Sequence, residues 1–259
     1  MPLIRWADEG SDTAFPGGVS FSGWAGEGDD ATWVSGVNTV EILDRLDPPP
    51  NTPSYEWEGM DGSTVEGALT HVGTSSFRTF FTIRNKRGEV FARVRSLGVS
   101  VDRANHRPQP LPRRDDLAAH VVPEPELVAP TGKGERPADA YVWSTAVRQT
   151  DCDSLGHLNN TKYAAYAEEA LGFGCHNGGF SGEGAALADA PIATLHVEYM
   201  VELLPYTDVH IAVWWDATQR AFIAEFRSGE GGAEPGGGTL SAVVVMGVRE
   251  AAPAVGAKL

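Results

Sequence analysis

Five segments of this sequence alternate apolar with polar residues and are rich in β-branched and aromatic side chains, which limits the fold more than any other feature. They are residues 75–84, 89–101, 207–215, 220–227 and 239–248. An alternation with a period of two residues is typical of a half-buried β-strand. The first two segments flank Asn85–Gly88, a short turn with a glycine, and we expect an antiparallel hairpin there. The last three follow one another closely and predict a meander.

Each half of the chain also contains one predicted helix, which comes before the strands. The first helix covers Val37–Leu46 and ends before the prolines of Asp47–Pro50; the second covers Asn159–Leu171, with Gly172 as its expected stop. Residues 108–139 are rich in proline, glycine and charge, which is typical of a linker. We therefore expect two α+β units in tandem. The expected bounds are residues 1–115 for the first unit, 116–137 for the linker and 138–259 for the second unit.

The composition indicates a globular protein of the reducing cytoplasm. With 259 residues, 42% of them hydrophobic, the chain can build a sizeable core. No stretch approaches the ~20 apolar residues of a membrane span, and the N-terminal residues lack the apolar core of a signal peptide. We therefore expect a cytoplasmic protein with no membrane partner. A chain of this length hardly needs a disulfide, so Cys152 and Cys175 are expected to be free thiols.

Charge is unevenly distributed along the chain. The formal net charge of −15 argues against nucleic-acid binding, because contacts with phosphates require a surplus of Lys and Arg. Residues 78–114, however, hold ten Lys and Arg against Glu89 and Asp102, a net charge of +8. Two interpretations stay open. Either this stretch attracts an anionic ligand, or its side chains lie on the solvent faces of two strands and a turn.

The segment Thr150–Tyr163 carries the densest group of chemically useful side chains. It follows the strand-like residues 138–149, leads into the second predicted helix, and contains two Asp, one His and two Asn within ten residues. The start of a helix presents unpaired backbone N–H groups and the positive end of the helix dipole, which can polarise a carbonyl oxygen. A carboxylate beside such a site can activate water or attack directly. The alternative from the residues alone is that Asp153 or Asn159 only caps the helix.

This segment resembles the motif of the hotdog-fold thioesterases, in particular the 4-hydroxybenzoyl-CoA thioesterase-like group. That motif, Asp-x-Asp-x-x-Gly-His-x-Asn-Asn-x-x-Tyr, is matched in full from Asp151 to Tyr163. The tandem organisation further resembles the plant acyl-carrier-protein thioesterases, which are double hotdog proteins. The resemblance implies an α+β double hotdog, with two antiparallel β-sheets that each wrap a central α-helix. It also implies hydrolysis of acyl thioesters.

Two positions depart from the pattern of the plant enzymes. Leu155 stands where that family has Asn, and Leu203 stands where it has Cys. The second departure removes a thiol nucleophile and shifts the expected chemistry to Asp153. In the first half, Trp33 and Val37 stand where Asp153 and His157 would align, so the N-terminal repeat is expected to be non-catalytic.

The resemblance implies a role for each residue of the motif. Asp153 is expected to be the general base or nucleophile, and backbone N–H groups near Gly156 and His157 to polarise the thioester carbonyl. The catalytic residues are expected to be Asp153, His157, Asn159 and Glu202. The substrate-binding residues are expected to be Gly156, Leu158, Asn160 and Tyr163. The expected substrate is an acyl thioester of coenzyme A or acyl-carrier protein, its product a fatty acid, with no metal and no cofactor. Homodimerisation is left open.

The same segment allows other interpretations. Cys152 could be a nucleophile with His157 as its base, but two flanking carboxylates raise the pKa of a thiol. A metal held by Asp151, Asp153 and His157 lacks a recognised ligand spacing. The alternative functions are an acyl-thioester dehydratase or hydratase and a non-catalytic acyl-thioester-binding protein, neither of which releases a thiol.

Overall fold

The computed structural model describes residues 31–43, 64–85, 87–102, 105, 107–130, 134–153 and 156–249. The chain divides into two compact units, unit 1 (Met1–Val128) and unit 2 (Ala129–Leu259). The boundary between them falls inside residues 116–137, the expected linker. In the described residues, both units consist mainly of antiparallel strands with few helices, as in an α+β fold.

The described part of unit 1 contains four strands, hydrogen-bonded in the order β2-β3-β4-β1. They are β1 (Ala31–Ile42), β2 (Thr64–Val72), β3 (Ser76–Arg84) and β4 (Val90–Asp102). All neighbouring pairs are antiparallel. The predicted hairpin is confirmed as β3 and β4. In its turn, Gly88 has a φ of 79° and donates its N–H to the carbonyl of Asn85 at 2.9 Å, a conformation that favours glycine.

The helix predicted for Val37–Leu46 is wrong over the residues that the structure describes. The chain up to Ile42 belongs to β1, where residues 37–42 pair with residues 97–92 of β4. Four of those six residues are β-branched, and such side chains suit a strand better than a helix. A run of prolines can end a strand as well as a helix, so the prolines after Asp47 do not tell which of the two precedes them. Residues 44–46 lie outside the described part of the chain.

The segment that follows β4 covers one face of the unit 1 sheet. Its residues Arg114–Ala118 form the short helix α1. Leu111 and Leu117, at 5% and 2% exposure, form a buried cluster with Leu69 and Phe77 of the sheet. Part of the expected linker therefore belongs to the core of unit 1 rather than to a free connection.

Several arginines of the basic stretch 78–114 are paired with acidic residues from outside it. Arg78 and Arg95 contact the carboxylate of Glu124 at 2.8 and 3.1 Å. Burial raises the pKa of Glu124, but the hydrogen bonds from these two arginines outweigh it and lower the pKa. Further pairs are Arg84 with Glu66, Arg93 with Glu41, Arg113 with Asp116 and Arg114 with Asp115. This pairing favours the interpretation of the stretch as strand surface.

The described part of unit 2 contains five strands, hydrogen-bonded in the order β6-β9-β8-β7-β5. They are β5 (Tyr141–Ala146), β6 (Ile192–Tyr199), β7 (Asp208–Asp216), β8 (Ala221–Ser228) and β9 (Thr239–Val248). The predicted meander is confirmed as β7, β8 and β9, which pair antiparallel in succession. Their inward side chains are fully buried, among them Ile211, Phe222 and Phe226 at 0% exposure.

Helix α2 (Asn160–His176) lies against β5, β6, β7 and β9. Its start confirms the prediction to within one residue, but the stop predicted at Gly172 is wrong. An isolated glycine costs a helix only about 1 kcal/mol, which packing against the sheet can outweigh. The helix ends instead at His176 with Asn177 as its C-cap, and Gly178 follows with a φ of 68°. A short helix, α3 (Gly182–Leu187), comes next, and no helix in the described part of the chain is long and apolar enough to cross a membrane.

Candidate active site

The residues between β5 and α2 fold into a tight loop that carries the predicted catalytic groups. The N–H of Asp153 bonds the carbonyl of His157 at 3.0 Å, and the N–H of Asn159 bonds the carbonyl of Asp151 at 3.0 Å. Gly156 turns the chain between them with a φ of 84°, and its N–H bonds the carbonyl of Asp153 at 3.1 Å. That φ is costly for a residue with a side chain, so the turn favours glycine. The turn brings Asp153 and His157 face to face.

The imidazole of His157 lies between two carboxylates. Its Nδ1 is 3.5 Å from Oδ2 of Asp153, and its Nε2 is 3.9 Å from Oε1 of Glu202. The side chains of His157 and Asp153 are 14% and 23% exposed, whereas that of Glu202 is 41% exposed. Three of the four expected catalytic residues therefore come together, although Glu202 is far from the motif in the sequence.

Glu202 lies in the loop after β6 rather than in the strand itself. The strand ends at Tyr199, and the next residues continue as irregular backbone. Leu203 is 1% exposed, and its carbonyl accepts the N–H of Leu158 at 2.8 Å. This hydrogen bond ties the loop after β6 to the catalytic loop and sets Glu202 beside His157. Leu203, which stands where the plant enzymes have a cysteine, is therefore a packing residue.

Asn159 caps the N-terminus of α2. Its Oδ1 accepts hydrogen bonds from the backbone N–H of Thr161 at 2.9 Å and from Oγ1 of Thr161 at 2.7 Å. Capping is thus the contact that the structure shows for this side chain, and its catalytic role stays a prediction. The helix begins three residues after His157, so the positive end of its dipole lies next to the catalytic loop.

No protein-family model and no curated protein matches this chain. Solved structures match it over nearly its whole length. An acyl-ACP thioesterase from Bacteroides thetaiotaomicron is 13% identical with a TM-score of 0.65, and the match covers 96% of this chain and 87% of that one. The 12:0-ACP thioesterase from Umbellularia californica is 18% identical with a TM-score of 0.64, and the match covers 95% and 88%. The chain has the fold of the acyl-ACP thioesterases.

The likeness to the acyl-ACP thioesterases includes both units of the chain. A third structure, that of a protein described as an oleoyl thioesterase from Lactobacillus plantarum, is 16% identical with a TM-score of 0.64, and the match covers 94% of this chain and 86% of that one. The hotdog fold expected from the motif is thereby confirmed. At identities this low the likeness concerns the fold, so the activity has to be argued from the site.

Within this acyl-ACP thioesterase fold, the residues expected to bind substrate differ in exposure. Leu158 and Tyr163 are buried at 1% and 3%, while Asn160 is half-buried and Gly156 is exposed. The Tyr163 ring packs edge-on against Tyr199, with 5.2 Å between ring centroids, and burial raises the pKa of Tyr163 well above its usual range. The hydroxyl of Tyr199 donates to the carbonyl of Asn160 at 3.1 Å. Packing is what the structure shows for Leu158 and Tyr163; contact of all four with substrate stays a prediction.

The two cysteines are free thiols, as expected. Burial raises the pKa of the Cys152 thiol, and the charges of Asp153 and Asp151 raise it further. The thiolate is the nucleophilic form, so this environment disfavours Cys152 as a nucleophile. Among the residues that the structure describes, no group of three or more His, Cys, Asp or Glu is arranged to hold a metal ion.

Sequence reasoning missed the partners of Asp151. Its Oδ1 lies 3.0 Å from Nζ of Lys162, and its Oδ2 accepts the hydroxyl hydrogen of Tyr166 at 2.8 Å. Lys162 and Tyr166 are four residues apart and therefore share one face of α2. That spacing, next to an Asp that opens the motif, is the sequence signal that could have revealed the contact.

Proposed function

We propose that this protein hydrolyses acyl thioesters to a carboxylic acid and a free thiol. The observation that carries the proposal is the position of His157 between Asp153 and Glu202, directly before the N-terminus of α2. The site combines a carboxylate base, an imidazole that orients it and a helix dipole that can polarise a carbonyl. The fold shared with acyl-ACP thioesterases supports the same reaction.

In the proposed reaction, the carboxylate of Asp153 accepts a proton from water while the water oxygen attacks the thioester carbonyl carbon. Alternatively the carboxylate attacks that carbon itself, and water then opens the resulting anhydride. In both routes the carbonyl electron pair moves onto oxygen, and the N-terminus of α2 stabilises the negative charge. The C–S bond then breaks. In the first route the departing thiolate takes the proton that Asp153 accepted from water, and in the second route it takes a proton from the water that opens the anhydride.

His157 and Glu202 contribute to this reaction by orienting the groups that react. Nδ1 of His157 is close enough to Asp153 to hold its carboxylate in one orientation, and Nε2 is directed to Glu202. Glu202 is the most exposed of the three side chains, which suits a group that orients incoming water. Proximity of this kind lowers the entropic part of the barrier.

The same proposal covers the architecture and the location. We infer a double hotdog in which unit 2 is catalytic and unit 1 is not, since Asp153, His157 and Glu202 all belong to unit 2. The alignment of Trp33 and Val37 with Asp153 and His157 does not hold, because both residues lie in strand β1 and not in a loop before a helix. Free thiols at Cys152 and Cys175 fit a cytoplasmic protein. The substrate is a fatty acyl group on acyl-carrier protein or coenzyme A, and the names of the structural neighbours support the former.

The test is a panel of acyl thioesters of increasing chain length on both carriers. We expect release of free acid and thiol in equal amounts, with one carrier giving the higher kcat/KM. The acid should be followed by chromatography, because Cys152 and Cys175 also react with thiol reagents. A hydratase would change the acyl chain and leave the thioester intact, and a binding protein would release nothing; either result would rule out the proposed hydrolysis.

A further inference from the structure

Asp151 is a buried carboxylate whose two oxygens are both engaged. The residue is 8% exposed, with Lys162 at 3.0 Å from Oδ1 and the Tyr166 hydroxyl at 2.8 Å from Oδ2. Burial raises its pKa, but the hydrogen bonds from Lys162 and Tyr166, together with the nearby charges of Lys162 and Arg148, lower it below the usual range. The carboxylate is therefore ionised at neutral pH, and both of its oxygens contact side chains of α2.

The backbone of Asp151 forms the base of the catalytic loop. Its carbonyl accepts the N–H of Asn159 at 3.0 Å, and the next pair, Cys152 and Leu158, forms an antiparallel bridge. Lys162 and Tyr166 lie on the first two turns of α2. The Asp151 side chain therefore connects the first side of the loop, residues 151–153, to α2. The second side of the loop, residues 157–159, leads directly into the N-terminus of the same helix.

We propose that Asp151 is a positioning residue for thioester hydrolysis. It holds Asp153 and His157 in a fixed position relative to the N-terminus of α2. This inference rests on the proposed function. The buried contacts of the Asp151 carboxylate lie on the side of the helix, so it acts through the loop and not on the substrate. A displacement of about 1 Å at reacting groups can cost a hundredfold in rate, so a firm anchor at the base of the loop matters for turnover.

A purely stabilising role would have a different signature from a positioning role. Loss of a structural contact lowers the free energy of unfolding but leaves kcat of the folded fraction unchanged. Loss of a positioning contact lowers kcat with little change in KM, since binding of the acyl chain does not depend on the orientation of Asp153. The two partners on α2 provide a second criterion, because groups that act as one unit have non-additive effects.

The test compares Asp151→Asn, Tyr166→Phe and the double variant with wild type in the thioester assay. Asp216→Asn is the matched control, since hydrogen bonds from the following turn also lower the pKa of Asp216, but this residue is at the end of β7. We expect kcat of Asp151→Asn to fall about 10- to 100-fold with KM changed less than about twofold, and the double variant to match it. Asp216→Asn should keep the kcat of wild type. A kcat of Asp151→Asn within twofold of wild type, or additive losses in the double variant, would overturn the proposal.

Amide hydrogen exchange separates this proposal from the proposed function. In Asp151→Asn the N–H of Asn159, which bonds the Asp151 carbonyl, should be accelerated about tenfold more than that of Ala224 in the centre of the sheet, whose exchange follows global unfolding. If wild type hydrolyses no thioester on the panel, the proposed function fails, and the exchange rates still decide whether Asp151 anchors the loop. Equal acceleration at both amides would indicate global destabilisation and overturn the anchor.

Discussion

Oδ2 of Asp153 lies 3.5 Å from Nδ1 of His157, four residues later in the same loop. This distance follows from the turn at Gly156 and from the backbone hydrogen bond between Asp153 and His157. On its other side the imidazole faces Glu202 at 3.9 Å. The histidine is therefore held between a more buried and a more exposed carboxylate, and the two should contribute unequally.

Substitution His157→Gln should lower kcat by about 100-fold, in the range of a lost acid–base or orienting group. The amide keeps a polar contact with Asp153 but lacks the ring that contacts Asp153 and Glu202 from opposite sides. Steady-state kinetics on the best thioester of the panel checks this. His176→Gln, at the far end of α2, is the matched control and should behave as wild type. Equal kcat in both variants would contradict the role of His157.

Substitution Glu202→Gln should have a smaller effect, about 3- to 10-fold on kcat. The side chain of Glu202 is 41% exposed and 3.9 Å from the ring, so solvent screens its charge more than that of Asp153. Glu230→Gln, on an exposed loop between β8 and β9, serves as the control. A loss at Glu202 as large as the loss at Asp153 would show that Glu202 is the base instead.

Substitution Leu203→Ala should destabilise unit 2 by about 2 to 5 kcal/mol, as expected for a fully buried leucine. Leu204→Ala is the internal control, because Leu204 is 57% exposed and its loss should change stability by less than about 0.5 kcal/mol. Urea unfolding followed by tryptophan fluorescence measures both. Similar losses for the two variants would show that Leu203 does not have the packing role assigned to it.

The local structure of unit 2 was largely predictable from the sequence. The meander β7–β9 and the start of α2 follow from alternating apolar residues and from a polar cap, which are local signals. The position of Asp153 beside His157 also follows from local spacing around a glycine. The end of α2 does not, because packing against the sheet carried the helix past Gly172.

The remaining features depend on contacts between distant parts of the chain. Residues 37–42 have an apolar pattern that fits either a helix or a strand. They form a strand because they pair with β4. Glu202 was assigned by resemblance alone, and only the hydrogen bond between Leu158 and Leu203 explains why it reaches His157. The burial of Asp151 between Lys162 and Tyr166 likewise requires the loop to fold back onto α2.

The contribution of Asp151 to stability should depend on pH. Its pKa is lowered in the folded protein from 3.8, so the stabilisation is fully present above pH 3.8 and is lost as pH falls through the lower folded value. The difference in unfolding free energy between wild type and Asp151→Asn should therefore shrink on acidification. Lys162→Met removes one cause of the shift and should move this loss to higher pH. Urea titrations from neutral to acid pH check this, and a constant difference would contradict it.

The central claim is that Asp153 performs the chemistry. The most direct measurement is kcat for Asp153→Asn beside Asp208→Asn, an exposed carboxylate at the start of β7, with circular dichroism to show that both variants fold. We expect a loss of about 10²- to 10⁴-fold for Asp153→Asn and none for Asp208→Asn. A folded Asp153→Asn variant that turns over thioesters at the rate of wild type would contradict it.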